Sequence, residues 1–175
     1  MTQSEEKPTN KSVVCFHNPD EENAYLSNWF YSSFELEGQR FSSLEQWMMW
    51  KKATVFGDFK TREAILATDD CASIKALGRA VKPFSKHVWN GLRQIVVYEG
   101  LLAKFRQNPD LKAKLLATGE ARLAECSEDD LIWGNGMAIT DPRRGDQTFW
   151  RGENLMGYTL MAVRERLKDD NPTLV

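Results

Sequence analysis

Histidine is scarce in this chain of 175 residues, and the three cysteines, Cys15, Cys71 and Cys126, are scattered. Cys15-Phe16-His17 is the one close pairing of metal-ligand types, and no second pair follows it at zinc spacing, so no metal site is expected. Three thiols cannot all pair with one another. The polar opening MTQSEEKPTNK does not resemble a signal peptide, so reduced thiols and a cytoplasmic location are expected. No run of roughly 18 apolar residues is present, which argues against a membrane span. Also missing are a phosphate-binding loop, a dinucleotide fingerprint, a G-x-S-x-G elbow and an evident Cys–His nucleophile pair. Gly134-Asn135-Gly136 is a turn, not a GxGxxG. Hydride transfer, kinase-type chemistry and serine hydrolysis lose ground accordingly. Nor is there an excess of charge: 23 basic residues face 25 acidic ones, whereas a general nucleic-acid binder is normally basic.

What is present is the content of one globular domain, 42% hydrophobic and 27% charged, which rules out wholesale disorder. Six Trp and nine Phe are many for this length and must be either core or a stacking surface. The pattern predicts a disordered tail over 1–12, one domain over 13–168 and a C-terminal tail over 169–175. Val13 to Phe16 reads as a buried strand closed by the turn His17-Asn18-Pro19-Asp20. Residues 24–30 and 34–36 alternate in character, and Glu37-Gly38-Gln39 suits a hairpin, so the N-terminal third is expected to be β-rich. From Ser42 the spacing becomes helical, with predicted helices over 42–56, 60–67, 71–81, from Ser85 through Phe105, from Pro109 to Thr118, and from Leu155 to about Leu167. Asn154 is the expected cap of the last. Leu123 to Cys126 suits a short strand, and 127–153 is a long Gly-containing loop of the kind that is often functional. The fold class is α+β, mostly helical, with a few short strands.

Two segments carry chemistry. On the helix over 42–56, Glu45 and Lys52 differ by about 20° in azimuth and about 10 Å in height, so they share one face two turns apart. Met49 and Phe56 lie on the same face. Opposite charges over apolar surface suit a pocket wall, where desolvation makes a carboxylate or an amine reactive. The plainer alternative is that Ser42 and Glu45 form a capping box and Lys52 snorkels. In the second segment Glu125, Glu128, Asp129 and Asp130 lead into Trp133-Gly134. A carboxylate beside an indole suits a ribose hydroxyl and a stacked base, and an acidic solvated turn is the alternative. Arg79 suits either a phosphate or the helix dipole, and Trp89 either a pocket wall or the core. Arg143, Arg144 and Arg151 suit either a phosphate or, as the plainer reading, a solvated basic loop.

Taken in order, several pieces resemble one family: Leu26-Ser27-Asn28-Trp29-Phe30, Ser43-Leu44-Glu45-Gln46-Trp47 running on to Lys52-Ala53, Leu77-Gly78-Arg79, Trp89, Lys104-Phe105, Leu115 to Gly119, Leu123-Ala124-Glu125, Asp130 to Gly134, Asn154-Leu155-Met156-Gly157, Leu160-Met161 and Arg164. This is similar to the NADAR, or YbiA-like, superfamily over roughly residues 13–167. The pattern departs at Gln46, where many members carry histidine, at Asn90, where an acidic residue is usual, and in the 135–153 loop, a candidate for setting substrate choice.

The resemblance implies a small, mostly helical α+β fold and an N-glycosidase. Its substrates would be phosphorylated ribosylamino-pyrimidine intermediates of riboflavin biosynthesis, cleaved to release ribose 5-phosphate. An alternative that it also implies is removal of ADP-ribose from modified guanine, with Lys52 forming a Schiff base. Only then would nucleic acid be a partner. A third reading is a non-catalytic module binding ADP-ribose or NAD. Carried over by position, Glu45 would be the general acid/base, Lys52 an amine nucleophile or electrostatic partner, and Asp130 the third catalytic group. Trp133 and Gly134 would bind ribose and base with Asp130, Arg79 would contact phosphate, Trp89 would wall the pocket, and Asn28 and Asn154 would supply hydrogen bonds. No metal or organic cofactor is implied.

Overall fold

The apolar run Val13–Phe16 forms strand β1, and its partner is distant in the chain. In the computed structural model, which describes residues 12–170, β1 pairs in parallel with a strand at Arg122–Glu125, in the register Val13↔Arg122 to Phe16↔Glu125. Parallel neighbours need a crossover, and here the crossover is the main helical body of the protein. A separate hairpin joins strands β2 (Phe34–Leu36) and β3 (Gln39–Phe41) through Glu37 and Gly38, both at positive φ. Positive φ at both central residues matches the twist of a tight hairpin. The strand at Arg122–Glu125 is β4.

Six helices follow the spacing read from the sequence: α1 (Leu44–Val55), α2 (Phe59–Leu66), α3 (Cys71–Ala80), α4 (Lys86–Gln107), α5 (Pro109–Ala117) and α6 (Leu155–Asp169). The side chains of Asp58, Asp70 and Ser85 accept from N–H groups in the first turns of α2, α3 and α4, and Pro109 opens α5. The fold is therefore α+β and mostly helical.

Three details differ from the sequence reading. Ser42 is not the cap of α1. Ser43 is extended and accepts from Gln46 N at 3.2 Å, while Gln46 Oε1 reaches back to Ser42 N at 2.7 Å. The cap lies one residue later than expected, and Glu45 takes no part in it. The stretch from Ala24 to Phe30 is not a strand but a 3-10 turn, Ala24–Leu26, and further turns. The carbonyls of Tyr25 and Ser27 accept from Lys104 Nζ and are unavailable to a ladder. At the ends, Ser12 O accepts from Arg122 N and α6 runs through Asp169, so each expected tail begins inside ordered backbone. The remainder of those tails, 1–11 and 171–175, lies outside the described residues.

Helix α1 is central, packed against α2, α3 and α4, and every side chain from Leu44 to Trp50 is buried. A stretch of helix with no solvent face must satisfy its polar groups internally. Gln46 does so by donating to the carbonyls of Ile65 and Thr68. Around it lie Phe41, Trp47, Leu101 and Leu160, all fully buried, each contributing roughly 1.5–3 kcal/mol by transfer from water. The Trp47 indole donates to Val96 O at 2.7 Å. Helix α6 presses against β4 at Gly157, where a Cβ would stand 2.1 Å from Leu123 O. Among the described residues no helix is long and apolar enough to cross a membrane.

Candidate active site

A cleft of about 380 Å³ opens where the C-terminal ends of β1 and β4 meet α3. His17, Asn18 and Pro19 come from the turn after β1, Ser27, Asn28 and Trp29 from the segment before the hairpin, and Lys75 and Arg79 from α3. Glu125, Ser127, Asp129, Asp130 and Trp133 complete the wall. A ligand cleft at the carboxyl ends of parallel strands is a common arrangement, because the loops leaving them are free to diverge.

Glu45 lies behind this wall, 2% exposed. Asn28 Nδ2 donates to Glu45 Oε2 at 2.5 Å, and Asn28 O accepts the Glu45 backbone N–H at 3.0 Å. Burial pushes the Glu45 carboxyl up to about 7. The Lys75 ammonium and the Asn28 and Trp29 donors oppose that rise, and the Asp130 charge adds to it. Such a carboxyl exchanges its proton near neutral pH.

Glu125 ends β4 and is also buried, with its Oε2 lacking any hydrogen-bond partner. Burial, then the charges of Asp130 and Glu45, push this carboxyl up to about 8, against Lys75. Asp130 is fixed differently. Its Oδ1 accepts from the backbone N–H groups of Ile132 and Trp133 at 3.0 and 2.8 Å, which orders the turn that presents Trp133. The cleft therefore has a carboxylic floor, two indoles in its walls and two cations from successive turns of α3. Lys75 Nζ stands 5.6 Å from the Trp29 ring centroid, and the Arg93 guanidinium 5.9 Å from that of Trp133. His17 Nδ1 is buried there without a partner. Among the described residues no three His, Cys, Asp or Glu side chains are grouped to hold a metal ion.

Of the residues singled out in the sequence, Asn28, Arg79, Asp130 and Trp133 line this cleft, with Glu45 immediately behind Asn28. Lys52 and Trp89 do not line it. The Lys52 amine donates to Gly78 O at 2.6 Å and lies 4.4 Å from the Phe84 ring centroid and 6.0 Å from that of Trp89. Burial holds Lys52 below the ordinary lysine range, against the Glu45 charge. Asn154 is fully buried at positive φ, donates to Leu123 O and accepts from Glu125 N. It clamps β4 to the start of α6 and makes no side-chain cap. Gly134 is buried too, and a Cβ there would meet Asp130 O at 2.7 Å. Arg143 pairs with Asp141, and Arg151 donates to Gly136 O, both away from the cleft.

Lys75, Trp29 and His17 were not read as site residues from the sequence, whereas Glu125 and Asp129, both in the cleft wall, belong to the acidic segment that the sequence singled out before Trp133. Lys75 carried one usable signal: it stands four residues before Arg79 on a helix whose other face is apolar, which places two cations on one side.

The NADAR domain family model matches residues 15–168. An N-glycosidase of Acanthamoeba polyphaga mimivirus is 38% identical over 160 residues, covering 87% of this chain and 94% of the relative. N-glycosidase YbiA of Escherichia coli is 30% identical over 157 residues, 89% of each chain. A riboflavin biosynthesis protein of Vibrio vulnificus is 33% identical over 159 residues, which are 91% of this chain and 40% of that one. The NMR structure of E. coli YbiA superposes with a TM-score of 0.78 at 28% identity, covering 99% of this chain and 95% of that one.

Proposed function

We propose, from the premise that this chain belongs to the NADAR domain family, that it hydrolyses the N-glycosidic bond of phosphorylated ribosylamino-pyrimidines and releases ribose 5-phosphate. The reaction class rests on the relatives. The mimiviral and E. coli proteins are named N-glycosidases and align over most of their length, so the chain is read as a hydrolase of N-glycosyl compounds. The substrate is the one that the family resemblance implies, and one observation supports it: a cleft whose floor is carboxylic and whose rim carries Lys75 and Arg79 from adjacent turns.

Cleavage of a C–N glycosidic bond passes through an oxocarbenium-like state, and the departing nitrogen needs a proton. Glu45, with a proton affinity set near neutrality, is the acid/base group. Asp130 faces the developing positive charge and the ribose hydroxyls. Arg79, with Lys75, takes the 5′-phosphate as charge-assisted hydrogen bonds. Trp29 and Trp133 offer π-faces to the pyrimidine. Lys52 acts as a positioning residue: its amine holds the Gly78 carbonyl, one residue before Arg79. A Schiff-base route to ADP-ribose removal would not run through Lys52, which does not line the cleft; the amine that lines it is Lys75.

The test sets two substrates side by side, 5-amino-6-ribosylaminouracil 5′-phosphate and an ADP-ribosylated guanine nucleoside. Faster release of ribose 5-phosphate from the first is expected. Faster release of ADP-ribose from the second would overturn the substrate, and tight binding of both without product would overturn the activity.

A further inference from the structure

The reading above uses one buried carboxyl as acid and base, while a second, Glu125, stands in the cleft unassigned. Its backbone is pinned on both sides: Glu125 N donates to Asn154 Oδ1 at 3.0 Å, and Glu125 O accepts from Asn135 N at 2.7 Å. Gly157, with no room for a Cβ, lets α6 close on β4 just behind it. The side chain is thus held at the cleft wall by a clamp of two fully buried residues, Asn135 and Asn154.

The two carboxyls differ in what faces them. Glu45 receives the Asn28 amide N–H, a donor that favours an ionised acceptor. No donor meets Glu125 Oε2, which is buried and unpartnered. The charged groups acting on Glu125 are Asp130 from the loop, Glu45 from α1 and Lys75 from α3, two anions against one cation. An unpartnered carboxyl between two anions keeps its proton, and a carboxyl with a donor aimed at it gives its proton up. When two acids are pushed apart in this way, their roles divide.

We propose that Glu125 is the proton donor to the leaving nitrogen and that Glu45 receives the proton of the attacking water. This assignment rests on the N-glycosidase reading and refines it. As the C1′–N bond breaks, its electron pair stays on nitrogen and takes the Glu125 proton, leaving the free amine and an oxocarbenium ion. A water lone pair forms the C1′–O bond, and the water's proton passes to the Glu45 carboxylate. One water is consumed and one proton has moved from Glu125 to Glu45. Exchange with solvent resets both groups.

Leaving-group dependence tests this. Two substrates are compared in the wild type and in Glu125→Gln: the ribosylamino-pyrimidine 5′-phosphate and 4-nitrophenyl riboside 5-phosphate, whose phenolate departs with little protonation. Glu125→Gln is expected to lose about 100-fold or more in kcat on the first and less than about 10-fold on the second, the range of general acid catalysis. Retained nitrophenyl turnover also shows that the variant is folded. In the wild type, turnover of the pyrimidine substrate is expected to fall as pH rises past about 8, a limb absent from nitrophenyl turnover. Equal losses on both substrates, or the same alkaline limb on both, would overturn the acid assignment alone. A wild type inert toward both would overturn the N-glycosidase reading and the assignment with it.

Discussion

Asn28 grips Glu45 twice, its side-chain amide donating to the carboxylate at 2.5 Å and its carbonyl accepting the Glu45 backbone N–H at 3.0 Å. One residue from the segment after β1 therefore orients the carboxyl and fixes the first turn of α1. The proton affinity of Glu45 is a balance between burial and this donor.

Asn28→Ala removes the donor and keeps the burial. A neutral hydrogen bond to a charged group is worth roughly 1.5–3 kcal/mol, and one pKa unit about 1.4 kcal/mol. The acid limb of kcat/KM is expected to move upward by about one to two pH units. A pH–rate profile checks this, and an unmoved limb would show that Asn28 does not set the ionisation of Glu45.

Stability should carry the mark of both buried carboxyls. Glu45 and Glu125 are raised in the folded state from 4.5 to about 7 and about 8, so the folded protein binds more protons than the unfolded chain in that window. Their contribution is complete below about 4.5 and is lost as pH rises through their folded values. The urea midpoint is expected to fall between pH 5 and pH 8.5 in the wild type. In the Glu45→Gln/Glu125→Gln double variant that part of the fall should vanish. An identical pH dependence in both proteins would contradict the assignment of buried, proton-holding acids.

Lys104 is fully buried and donates to the carbonyls of Tyr25 and Ser27, the segment that leads into Asn28. Lys104→Met fills similar space but leaves the Tyr25 carbonyl unpaired, at roughly 1–3 kcal/mol, and the Ser27 carbonyl with the Phe30 N–H alone. Lower stability in urea and slower turnover are expected together. Burial lowers Lys104 to about 7, so the unfolded chain binds the extra proton from there up to the ordinary lysine value. This group therefore adds stability as pH rises through that window, and the methionine variant should lack the gain.

Gly157→Ala places a methyl 2.1 Å from the Leu123 carbonyl oxygen, which is backbone and cannot turn aside. The clash forces α6 off β4 and with it the Asn154 clamp on Glu125. A loss of about 3 kcal/mol is expected, the upper end of the range for overpacked core substitutions. Thermal melting measures it, and an unchanged melting temperature would mean that α6 and β4 do not meet this closely.

Arg79→Ala should discriminate by phosphate. Relative to the wild type, kcat/KM is expected to drop about tenfold or more on the 5′-phosphorylated riboside, as for a lost charge-assisted hydrogen bond, and far less on the unphosphorylated one. Equal drops on both would move the phosphate elsewhere.

Local rules carried much of the fold. The hairpin at Glu37 and Gly38, the Ser85 cap and the proline opening α5 are each decided by a few neighbouring residues, and the chain shows them openly. Half of the candidate site is readable in the same way, because Glu45, Asp130 and Trp133 stand in compact motifs. What stayed hidden depends on distant contacts. The β1–β4 pairing joins segments far apart in the chain, and it places Glu125 in the cleft wall. Lys52 stands two turns after Glu45 on α1, yet α3 packs on α1 where Gly78 meets Met49, and the Lys52 amine is taken up by the Gly78 carbonyl and does not line the cleft. The cap of α1 lay one residue later than its motif suggested because adjacent serines offered two choices, and the Gln46 side chain settled on Ser43 as the N-cap by reaching back to Ser42.

The most direct measurement is release of ribose 5-phosphate from 5-amino-6-ribosylaminouracil 5′-phosphate by the wild type and Glu45→Gln in parallel, with both proteins shown to melt alike. Release by the wild type and a loss of at least about 100-fold in the variant is the predicted result. Equal release by both would contradict the catalytic role of Glu45, and release by neither would contradict the proposed substrate.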